Sequence, residues 1–167
     1  DASEMVNQLL FGELVEVLDQ QKQWRKVRSC VDSYEGWVDM KMLEKWELDK
    51  ATYFQSIQRS SLPLSRTDLG QYIPLGAFIH PNFKGLHAVP CESLELEDFI
   101  HLFMSAPYLW GGKSVLGVDC SGLTQLALAF QGVALKRDAS LQAQQGDTID
   151  FIEQVKTGDL AFFDNEE

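Results

Sequence analysis

The chain is short of cations. Fourteen Lys and Arg stand against 25 Asp and Glu in 167 residues, giving a net charge of −11. Nucleic acids and anionic lipid call for clustered Lys and Arg, so the balance speaks against both as partners. Cysteine is scarce as well. Cys30, Cys91 and Cys120 are odd in number and irregular in spacing, which excludes a disulfide framework and leaves at least one thiol free. No apolar run approaches the roughly 20 residues that span a bilayer. The opening DASEMVNQLL has no basic stretch followed by an apolar one, so no leader peptide is visible.

What is present is 45% hydrophobic residues, enough for a core and two small domains. Charge divides the chain. Residues 1–50 carry eleven acids and seven bases, residues 51–90 one acid and three bases, and residues 91–167 thirteen acids and four bases. The middle part also holds Pro63, Pro74, Pro81 and Pro90. Proline breaks regular elements, so residues 46–90 read as a connecting region with short strands. YIPLGAFIHP in that region reads as a strand interrupted at its ends.

The first 45 residues read as β. Short apolar runs start near Glu13 and at Trp24 and Trp37, with polar turns between them, the pattern of a meander or small barrel. FGELVEVLDQQKQWRKVR followed by YEGWV resembles the bacterial SH3 family, with Trp24 and Gly36–Val38 carrying the likeness. The first strand of such a barrel is missing or lies before Asp1. Trp24 and Trp37 are expected to pack in the core, as large indoles usually do.

YLWGGKSVLGVDCSGL, from Tyr108 to Leu123, offers two chemistries. A phosphate loop needs G-x-x-x-x-G-K-[ST], but position 107 is Pro107 and no helical run follows Ser114. The nucleotide reading therefore fails. CSGLTQLALAFQG reads as a helix from Cys120 to Gln131, with Leu123, Leu126, Ala127 and Phe130 on one face. Asp119 stands at the N-cap and Gly132 at a left-handed C-terminal cap. A thiol on the first residue of a helix meets unpaired amides and the positive end of the dipole, which favour thiolate. Gly111, Gly112, Gly117 and Gly122 let a peptide backbone approach it.

PYLWGGKSVLGVDCSGLTQLALAFQG resembles the NlpC/P60 family of papain-like cysteine peptidases, and KTGDLAFF at Lys156–Phe163 resembles that family's next core strand. The likeness runs from Leu94 to the end. It implies an α+β fold, a small SH3-like β-barrel (1–45) and a connecting region (46–90) followed by the catalytic domain (91–167). It implies hydrolysis of murein stem peptides between D-γ-glutamate and a diamino acid, with Cys120 as nucleophile. Asp119, Ser121, Tyr108 and Ser140 line the substrate cleft by that resemblance. Tyr34, in the YEGW turn, is the candidate to hold the free amine of an N-terminal L-Ala together with Asp119.

A cysteine nucleophile needs a His base and a third polar group to orient it. His80, His87 and His101 all lie upstream, and His101 sits in the amphipathic LEDFIHLFM. The resemblance puts the base after GDLAFF, so the expectation is a chain incomplete at its C-terminus, with the His beyond Glu167. The spacing of His80, His87 and Cys91 fits no zinc pattern, and thiolate chemistry calls for no metal or organic cofactor. The expected partner is a peptidoglycan stem peptide. The expected compartment is the bacterial envelope, or the cytoplasm for an enzyme that recycles released stems. Two further readings are a non-catalytic wall-binding protein on this fold and a papain-like amidase or acyltransferase.

Overall fold

The computed structural model describes residues 4–47, 49–67, 70–83, 86, 90 and 92–163. An irregular opening segment turns at Phe11–Gly12 into three antiparallel strands, β1 (Val15–Gln21), β2 (Trp24–Ser29) and β3 (Glu35–Asp39), ordered β1-β2-β3. Gln21 faces Trp24 across a tight turn in which Lys22 takes φ 51°. The two-residue period turns Val27 and Ser29 inward, at 4% and 1% exposure. Trp24, Lys26 and Arg28 therefore take the other face, where Glu35 pairs with Lys26 at 2.8 Å and Arg28 at 2.7 Å.

That register corrects the expectation for the two indoles. Trp37 stands opposite Lys26, on the face away from Val27, and Trp24 and Trp37 are 43% and 45% exposed. A three-stranded sheet with one covered face cannot bury both.

The middle region holds α1 (Lys50–Ser56), N-capped by the Asp49 carboxylate, which accepts from the Thr52 amide at 3.0 Å. Four short strands follow: β4 (Gln58–Arg59), β5 (Leu64–Arg66), β6 (Tyr72–Pro74) and β7 (Phe78–Ile79). β4 pairs with β7, and β5 with β6. YIPLGAFIHP is thus broken in its middle, not at its ends. Leu75–Gly76 turn between β6 and β7, with Gly76 at φ +80°, where a Cβ would lie 2.9 Å from Leu126. The region is tied to the start of the chain. The Phe78 amide donates to the Phe11 carbonyl at 2.9 Å, and the Tyr53 hydroxyl donates to the Gly12 carbonyl.

The last part contains α2 (Leu96–His101), the two-residue strands β8 (Lys113–Ser114) and β9 (Gly117–Val118), α3 (Cys120–Phe130) and α4 (Ala139–Gln142). Leu10, Leu75, Phe99, Phe103, Val118, Leu126 and Ala127 form one buried cluster drawn from all three parts. The α3 helix starts and stops where its caps predict, and Gly132 takes φ +78° just past its end. Lys156–Phe163 is not a strand here. The Asp159 carboxylate closes a turn by accepting from the Lys156 amide at 2.7 Å, and Phe163 is 88% exposed. A strand needs a ladder partner, and this segment pairs with none among the described residues. No helix among the described residues is long and apolar enough to cross a membrane.

Candidate active site

The β8–β9 hairpin folds the Gly111–Gly112 loop onto the start of α3, so closely that a Cβ on Gly122 would lie 2.4 Å from the Gly112 carbonyl oxygen. Only glycine permits that approach. Cys120, the first residue of α3, is an exposed free thiol.

Its neighbour Asp119 is 6% exposed and heavily hydrogen-bonded. Oδ1 accepts from the Gly122 amide at 2.7 Å and from Arg137 Nη1 at 3.0 Å. Oδ2 accepts from the Gly111 amide at 2.8 Å and from Arg137 Nη2 at 2.7 Å. Burial pushes this carboxyl up, but the Arg137 bonds, the two amides and the Arg137 charge overcome it and hold the group below the usual carboxylate range. The sequence reading gave Asp119 a substrate ammonium to bind. Each oxygen already has two close donors, and Oδ1 also accepts from the Ser121 hydroxyl at 3.4 Å, so the carboxylate is largely committed within the protein.

Ser121 is equally committed. It is 8% exposed, its hydroxyl accepts from Arg137 Nη1 at 2.8 Å, and its carbonyl accepts from Gln142 Nε2 at 2.9 Å. Arg137 Nε donates in turn to Asn7 Oδ1 at 2.8 Å. The turn that carries Cys120 is therefore held by a buried guanidinium that also grips the first segment of the chain. Arg137, Asn7 and Gln142 were missed in the sequence. One signal was available: Arg137 is the only arginine among the four bases of residues 91–167.

The other expected cleft residues divide. Tyr34 follows an Asx turn in which Asp32 Oδ1 accepts its amide at 2.9 Å. Burial raises its phenol above the ordinary value, and the charge of nearby Asp138 adds to the rise against opposition from Arg137. Tyr34, Arg137 and Asp138 are thus neighbours, although 103 and 104 positions separate the tyrosine from the other two. Asp138 stands at the N-cap of α4 but makes no capping hydrogen bond; its carboxylate instead interacts with the Tyr34 hydroxyl. Ser140, on α4, and Tyr108, at 68% exposure, face solvent.

Neither described histidine serves Cys120. His80 stacks on Tyr53, with ring centroids 5.5 Å apart, and also packs against Trp46 and Phe83; its Nδ1 accepts from the Asn82 amide. His101 is exposed at the end of α2, 3.9 Å from Glu97. His87 and Cys91 lie outside the described residues. Lys113, which gave the false phosphate signal, is 3% exposed and pairs with Glu13 at 3.4 Å.

Residues 105–167 match the NlpC/P60 family, and residues 1–43 match the bacterial dipeptidyl-peptidase SH3 domain. The chain is 31% identical to a gamma-D-glutamyl-L-lysine dipeptidyl-peptidase of Bacillus subtilis (strain 168), over 96% of this chain and 64% of that one. A protein of the same description from Bacillus cereus (strain ATCC 10987 / NRS 248) is 26% identical, over 98% and 61%. The crystal structure of an NlpC/P60 family protein from Bacillus cereus ATCC 10987 superposes with a TM-score of 0.65 at 22% identity, covering 90% of this chain and 63% of that one. That likeness is one of fold. The chain spans just under two thirds of the length of the two curated relatives.

Proposed function

Because this chain belongs to the NlpC/P60 family and carries a bacterial SH3 domain, we propose that the whole protein is a cysteine peptidase of bacterial cell-wall peptides. The bond cleaved joins γ-D-glutamate to a diamino acid, and the substrate is a released stem with a free N-terminal L-Ala. The observation that carries the reading is the exposed Cys120 at the start of α3, on a turn fixed by the buried Asp119–Arg137 pair. The names of the two Bacillus relatives support the bond specificity.

In this reading the Cys120 thiolate attacks the γ-carbonyl carbon, and the oxyanion that forms is received by backbone amides at the first turn of α3. Collapse expels the amine of the diamino acid, which takes a proton from the base. Water then hydrolyses the thioester. The base is the histidine that the family resemblance puts beyond Glu167; His80, enclosed by aromatic rings, and His101, beside Glu97, are poorly placed for the role. No metal or organic cofactor enters these steps.

The substrate amine is placed by Tyr34 and Asp138, with Ser140 beside them on α4. A neutral phenol and a carboxylate without a capping bond suit an ammonium better than the saturated Asp119 does. Tyr108 lines the outer side of the cleft. A site closed by the SH3-like domain takes short free stems, in the envelope or where released stems are recycled in the cytoplasm.

The test is cleavage of L-Ala-γ-D-Glu-L-Lys by the whole protein, with Cys120→Ala as control. Release of L-Ala-γ-D-Glu that vanishes in the variant supports the proposal. A whole protein that binds stems without cleaving them overturns it in favour of a binding module.

A further inference from the structure

Beside α3, residues from all three parts of the chain line a half-open pocket of ≈ 220 Å³. Its walls are mostly apolar, with Leu10, Val31, Leu126 and Val133 among them. Three charged side chains also line it: Glu13, Lys113 and Arg59. Glu13 and Lys113 are 1% and 4% exposed at the side chain and answer one another at 3.4 Å. The Glu13 carboxylate further accepts from Ser29 Oγ at 2.8 Å and the Leu10 amide at 3.1 Å.

Arg59 has no such answer. Its guanidinium lies 4.3 Å over the Phe78 ring and, among the described residues, donates once, through Nη1 to the Gly76 carbonyl at 3.0 Å. Among the described residues no carboxylate comes within ion-pair distance of it. Burial works against its charge, and only the field of Glu13, already shared with Lys113, works for it. A guanidinium seated over an aromatic ring, with most of its five N–H donors uncommitted among the described residues, is suited to a planar two-oxygen anion. The apolar walls suit a short aliphatic group attached to that anion.

We propose that this cavity is a binding site for a small aliphatic carboxylate, its two oxygens on the Arg59 fork and its tail between the SH3-like domain and α3. The inference does not depend on the peptidase reading, because no group at Cys120 takes part. Two sources share this chemistry: a free short-chain acid and the C-terminus of a peptide.

The experiment titrates the whole protein with 3-methylbutanoate, N-acetyl-D-alanine and, as neutral control, 3-methylbutanamide. Binding is followed by calorimetry and by amide shifts of Ala129 and Val133. The acid or the capped amino acid should bind at least about tenfold more tightly than the amide, as a charge-assisted bidentate contact requires. Which of the two binds better identifies the source. Arg59→Gln should abolish the preference over the amide, and Ala129→Leu, which fills the cavity, should remove binding of all three. If Arg59→Gln does not fold, Ala129→Leu decides. Equal affinity for acid and amide, no binding of either carboxylate, or binding untouched by Ala129→Leu overturns the proposal.

Discussion

Arg137 grips both oxygens of Asp119, at 3.0 and 2.7 Å, with the two side chains 2% and 7% exposed. Removing one partner of such a pair strands a buried charge. Arg137→Met should therefore cost about 3–5 kcal/mol, whereas adding Asp119→Asn to it should recover much of the loss. The pH dependence follows from the depressed Asp119 carboxyl. A group whose folded value is lowered stabilises the fold above its unfolded value of about 4, and that contribution is lost as pH falls through the folded value. Urea unfolding between pH 7 and pH 2 should show the gap between wild type and Arg137→Met narrowing on the acid side. A gap of constant size would mean that the pair contributes no charge interaction.

Cys120 should be the faster of the two described thiols toward iodoacetamide near neutral pH. It is exposed at a helix start, while Cys30 is only partly exposed after β2. Peptide mapping after short exposure reads the order directly. Faster modification of Cys30 would remove the case for Cys120 as nucleophile.

The parts of this site visible in the sequence were those set by local rules. A capping aspartate, an i, i+3, i+4, i+7 face and a terminal glycine fixed α3 to within a residue of its end. The β1–β3 meander followed from apolar runs and polar turns. Arg137 stood out only as the single arginine of residues 91–167, and its role was not legible because its partners, Asp119 and Asn7, stand 18 and 130 positions away. Nothing local marks a basic residue as buried. Trp24 and Trp37 were misread because composition cannot say which face of a short sheet is covered. The Lys156–Phe163 segment has strand-like residues, yet pairing is a property of two segments and not of one.

Tyr34→Phe should raise KM for stems with a free amine more than it lowers kcat. The hydroxyl contact is worth about 0.5–1.5 kcal/mol, or up to ~3 if it is charge-assisted. Asp138→Asn should remove the preference for free over N-acetylated L-Ala-γ-D-Glu-L-Lys in the whole protein. Burial and Asp138 both raise the Tyr34 phenol, so it stays a neutral donor through the neutral range. A preference that survives Asp138→Asn and disappears in Asp119→Asn would return the amine to Asp119.

The SH3-like domain is built into the structure and does not hang from it. Deleting residues 1–45 would remove Glu13, the Gly12 carbonyl bonded by Tyr53, and Asn7 beneath Arg137. Such a truncation should fail to fold, which makes it a poor test of whether the domain shapes the cleft. A single change is cleaner. Glu13→Gln leaves the Lys113 ammonium, 4% exposed, without its carboxylate, and should cost about 3–5 kcal/mol. Lys113→Met leaves Glu13 with a hydroxyl and an amide as its donors among the described residues and should cost a similar amount. Together the two changes should cost well under their sum, because no unpaired charge remains. The measurement is a double-mutant cycle in urea on the whole chain. Costs that simply add would show that Glu13 and Lys113 are not energetically coupled, leaving the SH3-like domain joined through Asn7, the Gly12 carbonyl and Leu10.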